Sequence, residues 1–112
     1  MSFSVLLELQ RHKTWATLKV IELCQSRGVQ VRPHSAYFGP GLLATVHVQA
    51  ALLDDPLIEV FWADLEASPF DPWIRPVNAV MKVPQGPGLG VDPDLSVIAR
   101  YRVGETTVTQ KR

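Results

Sequence analysis

The sequence predicts an α/β protein, and three observations predict it. Apolar residues recur at helical spacing over 14 to 27, short β-branched or aromatic runs follow at 29 to 31 and 57 to 63, and the links between these pieces are only a few residues long. Helix, strand, helix, strand with short connections implies parallel strands joined by right-handed crossovers.

The first helix is TWATLKVIELCQSR, with apolar positions at 15, 18, 21 and 24 and further ones at 20 and 23, closed by Gly28. VQV at 29 to 31 alternates and is β-branched, and Pro33 cannot donate in a ladder, so this strand ends by His34. Pro40 stands near a helix start. LLATVHVQAALL, 42 to 53, is apolar on nearly every side, as expected for a helix packed between layers, and Asp54-Asp55-Pro56 ends it. LIEVFWA, 57 to 63, reads as a strand buried on both faces. From 64 onward prolines and glycines dominate, and the segment reads as extended and irregular, with Phe70, Trp73 and Ile74 as its packing residues. Asp92-Pro93 opens a short helix, DLSVIARY, and a polar tail over 104 to 112 is expected to fray. There is no internal repeat.

The totals exclude several classes. With 112 residues the chain is at most one modest domain, too short for a closed α/β barrel. Eleven basic and eleven acidic residues cancel without forming a block, which argues against a nucleic-acid or membrane-surface partner. The longest apolar run is too short to span a bilayer, and the start lacks a secretory leader, so a soluble cytoplasmic protein is expected. Cys24 is the only cysteine and falls in an apolar helical pattern, which marks it as a buried structural thiol. Two strands with two covering helices leave sheet edges and apolar faces unpaired, so the chain reads as part of something larger.

Two residues carry the chemical interest. Glu59 alternates onto one face with Leu57 and Phe61 in an otherwise apolar strand, where a carboxylate is costly unless it is paired, bonded or protonated; a solvated edge position is the plainer explanation. His34 stands at the C-terminal end of the preceding strand, the end at which sites collect in parallel α/β proteins. On consecutive strands the two could converge on one cavity, although a loop histidine taken alone is more often structural. His47 lies within an apolar helix and reads as a satisfied core residue, and His12 sits in a stretch without pattern. Asp54, Asp55, Asp64 and Glu66 show no metal-ligand spacing, and Asp64 is the most plausible of them at the same strand end. GPGLG at 86 to 90 lacks the pattern of a phosphate loop.

In order, PHSAYFGPGLLAT, LIEVFWADLEAS, VPQGPGLGVDPD and ARYRV resemble the C-terminal part of the mandelate racemase and muconate lactonizing enzymes of the enolase superfamily, over roughly residues 16 to 103. The resemblance implies a C-terminal fragment of a (β/α)8-type barrel, about strands seven and eight with their helices. Residues 16 to 63 would be the partial barrel and 64 to 103 the segment that packs on barrel and capping domain. It further implies a Mg²⁺-dependent enzyme that removes the proton α to a carboxylate, in acid-sugar dehydration or racemisation. His34 matches the strand-seven histidine that acts as acid or base, and an imidazole suits proton exchange near neutrality. Glu59 matches the strand-eight glutamate that hydrogen-bonds the substrate carboxylate as charge develops. Tyr37 and Phe38, just beyond the histidine, would contact the sugar-acid or other carboxylate substrate; aromatic packing explains them equally.

The departures matter. The family's metal-binding carboxylates, its lysine motif and the aspartate partnering this histidine come from strands that have no counterpart in this sequence. Residues 1 to 15 do not match the family, with His12 and Lys13 where glycines are expected, as if a junction, truncation or frame change had joined a new start to an old barrel end. The expectation is that the chain binds no Mg²⁺ and is inactive alone. The alternatives are a non-catalytic self-association module, or one chain of a split enzyme whose partner supplies the missing barrel.

Overall fold

A computed structural model describes residues 4–8, 14–35 and 38–104. Five elements follow one another: β1 (Ser4–Glu8), α1 (Thr14–Gln25), β2 (Gln30–His34), α2 (Pro40–Leu52) and α3 (Leu95–Tyr101). The two strands pair in parallel, with Ser4 opposite Gln30 and Glu8 opposite His34. A parallel pair needs a crossover, and α1 provides it. The order is therefore strand, helix, strand, helix, and it begins in the stretch for which sequence reasoning offered no structure.

Residues 57 to 63, expected as a strand, form none. The chain runs beside the end of β2, but no backbone hydrogen bond joins the two among the described residues. Side chains make the connection instead. Ser35 Oγ donates to the Glu59 carbonyl (3.1 Å), and Arg32 reaches Asp55 through its carbonyl (2.5 Å) and carboxylate (3.2 Å). Pro33 lies within β2 and has no N–H to offer, and a ladder deprived of a donor is weaker. The helix-strand-helix-strand reading of residues 16 to 63 is corrected accordingly, and the described residues form no barrel.

α2 begins with Pro40 in its first turn, where a missing N–H costs nothing. It contributes to two buried clusters. Val48, with Leu53 just beyond the helix, packs against Ile21, Cys24 and Val31; Leu42 and Leu43 pack with Ile74 among Phe38, Phe70, Trp73 and Leu89. A helix with cores on two sides must be apolar on two sides, which accounts for its lack of a polar face. The thiol of Cys24 is buried and unbonded to another cysteine. Gly28 follows α1 at φ +66°, the left-handed conformation that glycine adopts freely.

The irregular segment is fastened by specific contacts. Arg75 donates to Asp71 (Nε to Oδ1, 2.8 Å) and to the Leu65 carbonyl (2.9 Å), while the Asp94 N–H donates to the Pro69 carbonyl (2.7 Å). The cap of α3 is Asp94, the residue directly after the Asp92-Pro93 pair singled out in the sequence: its carboxylate accepts from the N–H groups of Ser96 (2.8 Å) and Val97 (3.4 Å). GPGLG closes a tight loop. Gly90 has φ +82°, and a Cβ there would stand 2.6 Å from the Pro84 carbonyl oxygen. His47 Nε2 lies 3.0 Å from the Leu89 carbonyl oxygen and ties this loop to α2. No helix among the described residues is long and apolar enough to cross a membrane. The tail expected to fray lies, beyond Gly104, outside the described residues.

Candidate functional site

β2 ends on His34, and the extended segment after α2 brings Glu59 to that end. The Nδ1 atom of His34 lies 2.6 Å from Oε2 of Glu59. The approach lacks the alignment of a hydrogen bond, so it is a close contact between the ring nitrogen and the carboxyl oxygen. The two residues assigned to the chemistry are thus adjacent.

Ser35 holds the glutamate in place. Its backbone N–H donates to Oε2 of Glu59 (3.1 Å), and its hydroxyl donates to the Glu59 carbonyl (3.1 Å). The serine is fully buried while Glu59 is exposed, so both bonds are part-buried, and it is the serine's own polar groups that would be costly to leave unpaired. Sequence reasoning passed over Ser35. The available signal was its position, directly after the strand-ending histidine, where a small polar side chain can bond a neighbouring backbone.

The pair is partly open. The side chains of His34 and Glu59 are 37% and 45% exposed, although Nδ1 itself is shut off from solvent. The ring edge away from Glu59 is therefore the part of the imidazole that remains accessible. A carboxylate on one ring nitrogen and an accessible second nitrogen is an arrangement that holds and passes a proton. Glu59 is half-exposed, so the solvated-edge explanation of this carboxylate holds in part, and its contacts with Ser35 and His34 supply the rest.

Phe38 extends the site on one side. It packs edge-on against Phe61, with ring centroids 5.3 Å apart, and both line a cavity of about 300 Å³ shared with Val60, Asp64 and Arg75. Tyr37 and His12 lie outside the described residues. Asp64 is 95% exposed and faces Arg75 Nη1 at 3.3 Å, so it is a solvated ion-pair partner; Glu66 meets Arg100 at 3.4 Å in the same manner. Arg75 is a second residue that sequence reasoning did not single out. Asp71 and Asp64 hold its guanidinium firmly in the charged form.

The register of β1 adds a carboxylate-bearing residue, since Glu8 is the Cα partner of His34 at the same end of the strand pair. No described residues form a group of three or more His, Cys, Asp or Glu able to hold a metal ion. A Mg²⁺ ion demands near-octahedral oxygen ligation, and the described carboxylates are dispersed or engaged with arginines. The donor set of the described residues does not fit that ion.

Comparison with curated proteins and with solved structures found no match. The model of the family described as Enolase C-terminal domain-like matches residues 14–97. That span takes in α1, β2, α2, both His34 and Glu59, and the start of α3. With well over half of its residues matched, in elements of the expected α/β type, the chain belongs to the enolase C-terminal domain-like family.

Proposed function

We propose that His34 and Glu59 are the acid/base and carboxylate-anchoring residues of an enolase-superfamily site, one that abstracts the proton α to the carboxylate of a sugar acid or related substrate. The observation that carries this reading is the 2.6 Å approach of His34 Nδ1 to Glu59 Oε2, with Ser35 clamping the glutamate. Nδ1 faces Glu59, so Nε2 is the atom left to take the substrate proton. Glu59 would hydrogen-bond a substrate carboxylate oxygen as negative charge builds there, leaving the imidazole to carry the transferred proton. Dehydration of an acid sugar and racemisation share this first step and differ in what leaves or returns.

The described residues supply only this part of the chemistry. The resemblance implies a magnesium ion, which would supply positive charge beside the substrate carboxylate, and its ligands would have to come from residues other than those described. The chain alone is therefore proposed to be inactive. The test is proton exchange in D₂O, followed by NMR on a panel of sugar acids with Mg²⁺. No exchange or dehydration is expected from the chain by itself. Exchange is expected when it is co-expressed with a chain supplying the rest of a barrel, and His34→Asn should abolish it. Turnover by the isolated chain overturns the inactive reading, and restored activity that survives His34→Asn overturns the assignment of the base.

A second reading has its own observation. Leu57, Val60, Phe61 and Trp62 are exposed along an extended stretch without a backbone partner among the described residues, and Trp62 is 88% exposed. Such an edge is a template for pairing with another chain, which supports self-association or a split-enzyme partner.

A further inference from the structure

The stretch 57 to 62 has one edge committed and one edge open. The Ser35 hydroxyl donates to the Glu59 carbonyl, so Glu59 turns its backbone toward β2. In an extended chain neighbouring residues direct their N–H and C=O groups to opposite sides, which turns those of Ile58 and Val60 away from β2. None of these groups meets a backbone partner among the described residues. The stretch is nonetheless held in place, because Phe61 packs edge-on against Phe38 and Ile58 packs on the cluster of Leu42, Leu43 and Ile74. An ordered edge with unused donors and acceptors is a template for one more strand.

The chain brings its own candidate to that edge. α3 is fastened beside the end of the stretch, by Arg100 to the Glu66 carboxylate (3.4 Å) and by the Asp94 N–H to the Pro69 carbonyl (2.7 Å). Residues 105–112, ETTVTQKR, follow it and contain four consecutive β-branched residues, Thr106 to Thr109. Eight extended residues reach about 26 Å, against about 20 Å for the six of the stretch. A segment that starts near Glu66 runs back along 57 to 62 in the antiparallel sense, which carries Lys111 and Arg112 to the beginning of the stretch. Asp54 and Asp55 stand there, both exposed, so a basic pair meets an acidic pair. A second copy offers the same segment, but a tether of a few residues gives the chain's own segment an effective concentration on the order of millimolar. We propose that residues 106–111 form an antiparallel strand on the 57–61 edge of the same chain, bonding the backbone of Ile58 and Val60. The strand is independent of the His34 and Glu59 chemistry, and it is the resident competitor of any other chain for that edge.

The test is amide hydrogen exchange followed by NMR, on the full chain and on a chain ending at Gly104, each at several protein concentrations. In the full chain the amides of Ile58 and Val60 are expected to exchange roughly tenfold or more slowly than in the shortened chain, at a rate independent of concentration, while the amides of α2 keep the same rates in both. The double variant Thr107→Pro, Val108→Pro removes two successive donors, one of which falls on the bonded side in either register, and should abolish the protection. It decides the matter if the shortened chain does not fold. Equal exchange at Ile58 and Val60 with and without residues 105–112, protection that survives the two prolines, or protection that rises with protein concentration, which would make a second copy the occupant, overturns the proposal.

Discussion

Ser35 and Glu59 are joined twice, by the serine N–H to the glutamate carboxylate and by the serine hydroxyl to the glutamate carbonyl, each at 3.1 Å. This double link substitutes for a sheet ladder. It fixes the position of Glu59 relative to β2 although no backbone bond does so, and it keeps the carboxylate beside His34.

Removing half of that link tests its weight. Ser35→Ala leaves the Glu59 carbonyl without its hydroxyl partner at a part-buried position, and is expected to destabilise the chain by about 1 kcal/mol, within the range for a lost hydrogen bond. Urea unfolding measures it. A variant as stable as the parent would show that the hydroxyl bond is not formed in solution.

The cluster built on Leu42, Leu43 and Ile74 is a sensitive place for truncation. Leu43 is fully buried in α2, and Leu43→Ala is expected to cost about 2–5 kcal/mol through lost burial and a cavity. Leu23→Ala, on the exposed face of α1, provides the contrast and should change stability far less. Thermal unfolding followed by circular dichroism distinguishes them.

The start of α3 should respond to acid. The Asp94 carboxyl is held below the usual carboxylate range, first by the Ser96 hydroxyl and then by the backbone N–H groups of Ser96 and Val97. A depressed carboxyl stabilises the fold above its unfolded value, and that contribution is lost as pH falls through the lower folded value. The cap is therefore intact at neutral pH and releases only once pH falls below the range in which an ordinary aspartate protonates. Amide shifts of Ser96 and Val97 followed against pH should report it, and Asp94→Ala should remove the acid transition while weakening the helix start at neutral pH.

Gly90 permits little substitution. Both its positive φ and the closeness of Pro84 resist a side chain, so Gly90→Ala is expected to destabilise by more than about 1 kcal/mol, the scale of left-handed strain alone. Gly104→Ala, where an added Cβ meets nothing within 4 Å, should be nearly silent. Melting temperatures of the two variants give the comparison.

Trp62 projects into solvent from the unpaired stretch. Trp62→Asp is expected to leave unfolding unchanged and, if that stretch mediates self-association, to shift sedimentation toward monomer. An oligomer insensitive to the substitution would place its interface elsewhere.

Much of this arrangement was legible in the residues. The periodicity of 14 to 27 gave α1, Pro40 marked the opening of α2, and the alternation of VQV with Pro33 beyond it located β2 and placed His34 at its end. Phe70, Trp73 and Ile74 were recognisable as packing residues because large apolar side chains seldom stand in loops without a surface to cover. Two features escaped. β1 was hidden because SVLLE is short and its strand state depends on a partner about 26 positions away, information that no local pattern contains. The 57 to 63 run has every composition cue of a strand, but a strand is defined by its neighbours, and β2 offers it side chains in place of a ladder. At the site, residue chemistry and strand position brought His34 and Glu59 together, whereas Ser35 and Arg75 act through hydrogen bonds to backbone that only three-dimensional placement reveals.

α2 has one further consequence. Because Val48 belongs to one buried cluster and Leu42 and Leu43 to the other, neither cluster can melt without stripping a face from the same helix. The N-terminal strand pair and the proline-rich C-terminal half are thereby coupled into a single cooperative unit, and loss of order at either end of the chain is transmitted to the other through thirteen helical residues.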